Sequence, residues 1–379
     1  MHVVIVGAGT FGASLAWTLA RAGREVTLVD QFEPGDPRAS SGGESRLIRC
    51  AHGTSAEYTR TARRARTLWR QLEAESGEEL MVECGMAWFA ERPDGWEAES
   101  ERTMAAQEIP TQRLDASEAA RLFPSLGADD LEFVLFEPEA GVLRAQRGVR
   151  ALARQAAAHG ARVVRGRAAP EAGAAVLDDG TRLEGDAVVW ACGVWLPRLF
   201  AGVTVRATCQ ELLFFDGGPA WRTPAVPGWV DYDRAMYGTG DLDGLGVKAA
   251  HDVEGPALDP DAELPAAGAT EEHVRAYLAD RFPALADAPL NEGRCCRYEI
   301  SPDSNFIAAP HAELERTWLV GGGSGHGFKH GPAVAELIAA ALDGGEPLPA
   351  HWALGERVAG RSLRTAGSNA EKGSDPSLQ

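Results

Sequence analysis

The first thirty residues switch twice between hydrophobic periods. His2 to Val6 is a continuous apolar run, Gly12 to Ala22 repeats apolar residues at helical spacing, and Glu25 to Asp30 is a second apolar run that ends in an acid. This predicts a compact strand, helix, strand unit. Gly35 to Gly43 is rich in Gly, Pro and Ser and reads as loop, and an amphipathic helix follows over Ala56 to Ser76. The chain then alternates short strands (Glu83 to Ala90, Phe133 to Phe136) and turns, with a helical signal at Ser117 to Leu122.

A helix at Gln146 to His159 leads into a strand at Ala161 to Arg165. After a hairpin around Asp178-Asp179-Gly180, a strand at Asp186 to Ala191 closes on Cys192-Gly193. The α/β rhythm of the first unit thus resumes, which predicts a nucleotide-binding domain discontinuous in sequence. Residues 206–294 are β-rich, with aromatic strands (Leu212 to Phe215, Trp229 to Tyr232) and one helix (Thr270 to Phe282). The expected fold class is α/β: a Rossmann-like domain from 1–81, 138–205 and 300–379, and an α+β substrate domain from 82–137 and 206–299 with a large, mostly antiparallel sheet. The chain after Leu363 is poor in apolar residues and is expected to be a disordered tail.

Charge and cysteine usage narrow the partners. A formal net charge of -18 over 379 residues argues against nucleic acid or an anionic membrane as partner, since both need a clustered basic surface. The basic run Arg60, Arg63, Arg64, Arg66, Arg70 reads as the solvated face of a helix. Six cysteines (Cys50, Cys84, Cys192, Cys209, Cys295, Cys296) are too scattered for a disulfide scaffold and match no structural zinc spacing, so no metal is expected. With neither a basic leader with an apolar core nor a long apolar run, the expected location is the cytoplasm.

The chemistry begins in two glycine-rich turns at opposite ends of the chain. Gly7-Ala8-Gly9-Thr10-Phe11-Gly12 lies between a strand and a helix, and Asp30 stands 18 residues beyond Gly12 at the end of the next strand. Gly7 and Gly9 allow a tight turn and close approach of a pyrophosphate, Gly12 lets helix pack on strand, and Asp30 can accept from a ribose hydroxyl. The second turn, Gly321-Gly322-Gly323-Ser324-Gly325-His326-Gly327-Phe328-Lys329, follows the strand Thr317 to Val320 and precedes a helix at Ala333 to Leu342. It should aim backbone N–H groups at one spot and stabilise negative charge there. Two such turns suggest a dinucleotide with a second region that becomes anionic, which points to FAD rather than NAD.

Further motifs appear in a definite order: Ser45-Arg46-Leu47-Ile48-Arg49, Gly246-Val247-Lys248, Cys296-Arg297-Tyr298, Ser301-Pro302-Asp303 and Gly325-His326-Gly327-Phe328-Lys329. With the N-terminal fingerprint they resemble the monomeric sarcosine oxidase family of FAD-dependent amine oxidases across nearly the whole chain. The resemblance implies oxidation of the C–N bond of a secondary or cyclic amino or imino acid, with O2 reduced to H2O2, by a monomer. A flavin dehydrogenase of the same fold using another acceptor, and a flavin-binding subunit without catalysis, are the other readings.

In a strand Cys296 and Tyr298 share one face, while Cys295 and Arg297 share the other. The resemblance implies a covalent thioether from Cys296 to the flavin. It also implies that Arg49 and Lys329 hold a substrate carboxylate, that Lys248 assists reaction with O2, and that Tyr237 and Tyr298 line the active site. Cofactor contacts are implied for Gly7, Gly9, Thr10, Phe11, Gly12, Asp30, Ser45, Arg46, Val163, Cys192, Gly193, Trp195, Gly323, Gly325, His326, Gly327, Phe328 and Lys329. The sequence departs from the family at Asp252, where a histidine is usual, and His251 should face the other way. An acid beside the substrate would change the local charge by one unit, favouring a cationic nitrogen, a hydrogen-bond donor or a role as proton acceptor during oxidation, and a bulkier or cyclic amino or imino acid over sarcosine. The resemblance to family members that oxidise piperideine-type carboxylates implies a substrate of that kind.

Overall fold

The computed structural model describes residues 1–366 of the chain. Its first sheet has six strands in the order Ile307–Pro310, Thr317–Gly321, Ala187–Trp190, His2–Val6, Glu25–Asp30, Arg162–Arg165. Every pairing is parallel except that of the first two. The inner strands are apolar throughout because both faces are covered. Helices Thr10–Arg21, Ala56–Ser76, Ala145–Ala158 and Gly331–Leu342 share one core on one face. On the other face lies a small antiparallel sheet over residues 168–184.

The second large sheet has eight strands in the order Leu290–Ile300, Arg206–Phe215, Val247–His251, Met236–Thr239, Gly228–Asp231, Met86–Ala90, Phe133–Glu137, Gln112–Leu114. Only Gly228–Asp231 and Met86–Ala90 run parallel. Helix Glu271–Arg281 covers one face with Val274, Tyr277 and Leu278 packed against Val247 and Ala249. The opposite face of the strands around Lys248 is left for the site. The fold is thus α/β, with a Rossmann-like sheet and a larger, mostly antiparallel one.

Several elements differ from the sequence expectation. The run Glu83 to Ala90 divides into strands Met81–Glu83 and Met86–Ala90, because Gly85 turns at φ 80° and a Cβ there would strike the Phe136 ring at 2.3 Å. Helix Trp96–Ala105 was not anticipated, and the helical signal at Ser117 to Leu122 is one turn, Ala116–Ala119. The expected disordered tail also needs correction. Ser362, Arg364 and Thr365 are buried, and only residues 367–379 lie outside those described.

Candidate active site

The two glycine turns meet. Thr10 Oγ1 donates to Phe328 O at 3.1 Å, and a Cβ on Gly327 would touch the Phe11 ring at 3.0 Å. Gly7 has φ 104°, and a Cβ there would lie 2.3 Å from Ala191 O; one on Gly12 would lie 1.8 Å from Gly7 O. Both glycines are therefore required by the backbone itself. Gly9 caps the helix with no side-chain partner, so the helix N-terminus faces a cavity of about 1220 Å³, open mouth included.

Of the residues expected at a cofactor, Gly7, Gly9, Thr10, Phe11, Asp30, Arg46, Cys192, Gly193, Trp195, Gly323, Gly325, Gly327 and Phe328 line this cavity. The Asp30 carboxylate accepts from Ala8 N at 2.5 Å and Phe32 N at 2.7 Å, while burial raises its pKa. Gly12 lies beneath the turn. Val163 does not line the cavity: it is 46% exposed at the edge strand, and Gly166, Arg167 and Ala168 take the wall instead.

A second cavity, of about 550 Å³, shares Arg46, Tyr298, Gly325 and Phe328 with the first. Arg49, Tyr237, Lys248, Asp252, Tyr298 and Lys329 all line it, together with His326. The sheet register explains the convergence. Cys296 pairs with Gln210 and Tyr298 with Thr208, Lys248 pairs with both Phe214 and Thr239, and Ala250 pairs with Tyr237, which sets these side chains on one face. Tyr237 and Tyr298 join their hydroxyls at 3.2 Å.

The cations here are held by backbone. Lys248 Nζ donates to Ser45 O and Oγ, both at 3.4 Å, and burial, then the Arg46 charge, push its pKa down to about 8. Lys329 Nζ donates to His326 O at 2.9 Å, and its pKa falls well below the lysine range through burial and the Arg49 charge. Arg49 donates to Ala51 O and to Leu363 O, the latter at 2.9 Å. Burial brings its pKa down to about 10, opposed by Glu137, whose carboxylate accepts from Cys50 N, Ala51 N and Trp88 Nε1.

Cys296 is half-buried on the Lys248 face, beside Leu212, Phe214 and Ala250, and its thiol acts electrostatically on Lys248, but it is not part of either cavity wall. Cys295 faces the other way, where it shares a hydrogen bond with Cys209. Ser45 is likewise behind the wall, reached by Lys248.

The expectation for Asp252 must be corrected. Arg364 Nη1 donates to its Oδ1 at 2.6 Å and Thr365 Oγ1 to its Oδ2 at 3.2 Å, so the acid brings no net charge to the site. The case it made for a cationic nitrogen or a cyclic substrate lapses. No bulge shifts the strand, and His251 lies on the far face, 4.1 Å from the His273 ring.

Comparison with known proteins now decides the kind of enzyme, because a family model described as FAD dependent oxidoreductase matches residues 2–341. The chain belongs to this FAD-dependent oxidoreductase family. It is 29% identical over 357 residues to a protein named monomeric sarcosine oxidase from Bacillus sp. (strain B-0618), covering 89% of this chain and 90% of that one. It is 27% identical over 351 residues to one named N-methyl-L-tryptophan oxidase from Yersinia pestis (strain Pestoides F), covering 89% and 93%. A crystal structure of L-proline dehydrogenase from P. horikoshii has the same fold, with a TM-score of 0.80 at 21% identity over 93% of this chain and 96% of that one.

The first cavity fits FAD on its own terms: an uncapped helix N-terminus, backbone-enforced glycines and an acid at the second strand end. One wall residue of this FAD enzyme escaped the sequence reading. Glu299, on the strand carrying Cys296, accepts from Gly323 N at 3.1 Å. The second turn therefore gives one of its N–H groups to a protein carboxyl. His52, His326 and His330 also cluster unforeseen, their nitrogens within 4.8 Å of one another. Burial above all, with the neighbouring Arg49 and Lys329, holds the pKa of all three imidazoles well below the usual histidine value.

Proposed function

We propose that this flavoenzyme oxidises the C–N bond of a secondary or cyclic amino acid and reduces O2 to H2O2. The observation that carries the reading is the continuity of the two cavities: residues suited to an amino-acid carboxylate line a space sharing Tyr298, Gly325 and Phe328 with the dinucleotide cavity. When bound, FAD supplies a two-electron acceptor for the hydride on the carbon next to the amine nitrogen. Arg49 and Lys329 bind the carboxylate; both are buried, and an anion there restores to Lys329 the charge that burial disfavours. Tyr237 and Tyr298 close the wall and exclude water. Lys248 keeps a positive charge at the sheet face, where it favours the anionic oxygen formed as O2 is reduced.

Cys296, on the Lys248 face, is the residue we assign to covalent attachment. Six cysteines without a disulfide among them suit a reducing compartment, here the cytoplasm, and no helix among the described residues is long and apolar enough to cross a membrane. The large apolar residues exposed at the surface (Met1, Val163, Leu337, Val358) are scattered, which suits a monomer. The reading is tested by supplying sarcosine, N-methylated aromatic amino acids, proline, pipecolate and cyclic imino acids under air. One H2O2 per amine oxidised is the expected yield. Turnover only with an artificial acceptor, and no peroxide, would make the protein a dehydrogenase.

A further inference from the structure

Glu299 is a buried carboxyl for which the reading so far has no use. It is 8% exposed and lines the dinucleotide cavity from the strand Leu290–Ile300. Three glycines surround it: a Cβ on Gly323 would lie 2.8 Å from Oε1, one on Gly321 3.4 Å from Oε2, and one on Gly193 3.5 Å from Oε2. Oε1 accepts from Gly323 N, whereas Oε2 is buried without a hydrogen-bond partner among the described residues. A buried acceptor without a partner loses its hydration with nothing in return, so such an atom points to a missing ligand group. Gly193 and Gly323 line the same cavity, at turns that approach the dinucleotide.

We propose that Glu299 is a cofactor-binding residue whose carboxyl, fixed through Oε1 by Gly323 N–H, donates a hydrogen bond from Oε2 to an oxygen of the phosphate–ribityl chain of FAD. A donor must be protonated. Burial pushes the Glu299 carboxyl up to about 7, against the pull of the Gly323 and Gly322 N–H groups. No cation offsets that burial; the charged groups of the same cavity wall are Asp30, Arg46, Arg167, Arg198 and Arg297. The phosphates bring negative charge, which raises the carboxyl pKa again in the complex. FAD is therefore bound most tightly at pH values where Glu299 is neutral, and affinity falls as pH rises through about 7.

The inference rests on FAD occupying this cavity. Its test uses Cys296→Ala protein, in which the flavin is exchangeable, with and without Glu299→Gln. The dissociation constant of FAD is read by flavin fluorescence from about pH 6 to about pH 9. With Glu299 present the constant should rise about tenfold or more across that range, whereas the glutamine variant, a neutral donor throughout, should lack this rise. Lys248 titrates near 8 in the same window, so the difference between the two profiles is the quantity read. Superimposable profiles would overturn the proposal, as would tighter binding by Glu299→Gln already at the acid end. A flat profile in the Glu299 protein overturns it even if the glutamine variant misfolds. Failure of the protein that retains Glu299 to bind FAD at any pH would overturn the placement of FAD in this cavity, and the proposal with it.

Discussion

At Lys248, burial and the Arg46 guanidinium oppose the ammonium and bring its pKa to about 8, within reach of ordinary assay conditions. If the positive charge assists O2, reoxidation of the reduced enzyme is fast below this value and slows as pH rises through it. Lys248→Gln should lower that rate by about 10²–10³-fold and flatten the profile. Stopped-flow mixing of reduced enzyme with oxygenated buffer reads both effects; an unchanged rate in the variant would remove Lys248 from the oxygen reaction. The same strand face gives a second prediction. Cys296→Ala should release the yellow colour from acid-precipitated protein, while Cys295→Ala, directed toward Cys209, should retain it. Release by Cys295→Ala instead would contradict the pairing of Cys296 with Gln210.

Among the elements, residues 362–366 do more than a tail should. Leu363 O accepts from Arg49, Ser362 O from Tyr232, and Arg364 neutralises Asp252. Removing Arg364 leaves a buried carboxylate without its cation, which typically costs about 3–5 kcal/mol. Arg364→Ala should therefore lower the unfolding free energy by that order in urea titrations. The sign of its pH dependence follows from the folded-state pKa of Asp252, already raised by burial and raised further without Arg364. The loss is full above the raised folded-state value of Asp252 in the variant, shrinks as the pH falls through it and Asp252 takes up its proton, and is gone below the unfolded carboxyl value. A variant as stable as the parent would show that the pair contributes nothing.

The parts legible in the sequence were those whose chemistry is local. Gly7 to Gly12 and the strand alternation around Lys248 and Tyr298 declare their geometry within a few residues. Arg364 did not, because its partner lies 112 residues away and a polar C-terminal stretch reads as solvated chain. Glu299 was missed for a related reason: an acid alternating with Tyr298 reads as the solvent side of a strand, and only the packed glycines Gly193, Gly321 and Gly323 show that this side is covered. Val163 failed the other way, an apolar residue left exposed at a sheet edge.

For the molecule as a whole, two sheets of different construction are brought together along Tyr298, Gly325 and Phe328. The parallel sheet ends at turns suited to phosphate, and the antiparallel sheet presents Lys248, Tyr237 and Tyr298 beside Arg49 and Lys329, the pair proposed to hold a carboxylate. The central claim is that an amino acid in the second cavity delivers electrons to flavin in the first. Anaerobic addition of secondary and cyclic amino acids to the holoenzyme, followed by flavin absorbance, tests it most directly. At least one should bleach the flavin within turnover time, and Arg49→Ala should raise the concentration needed by about tenfold or more. A flavin that dithionite bleaches but no member of the panel reduces would contradict the account.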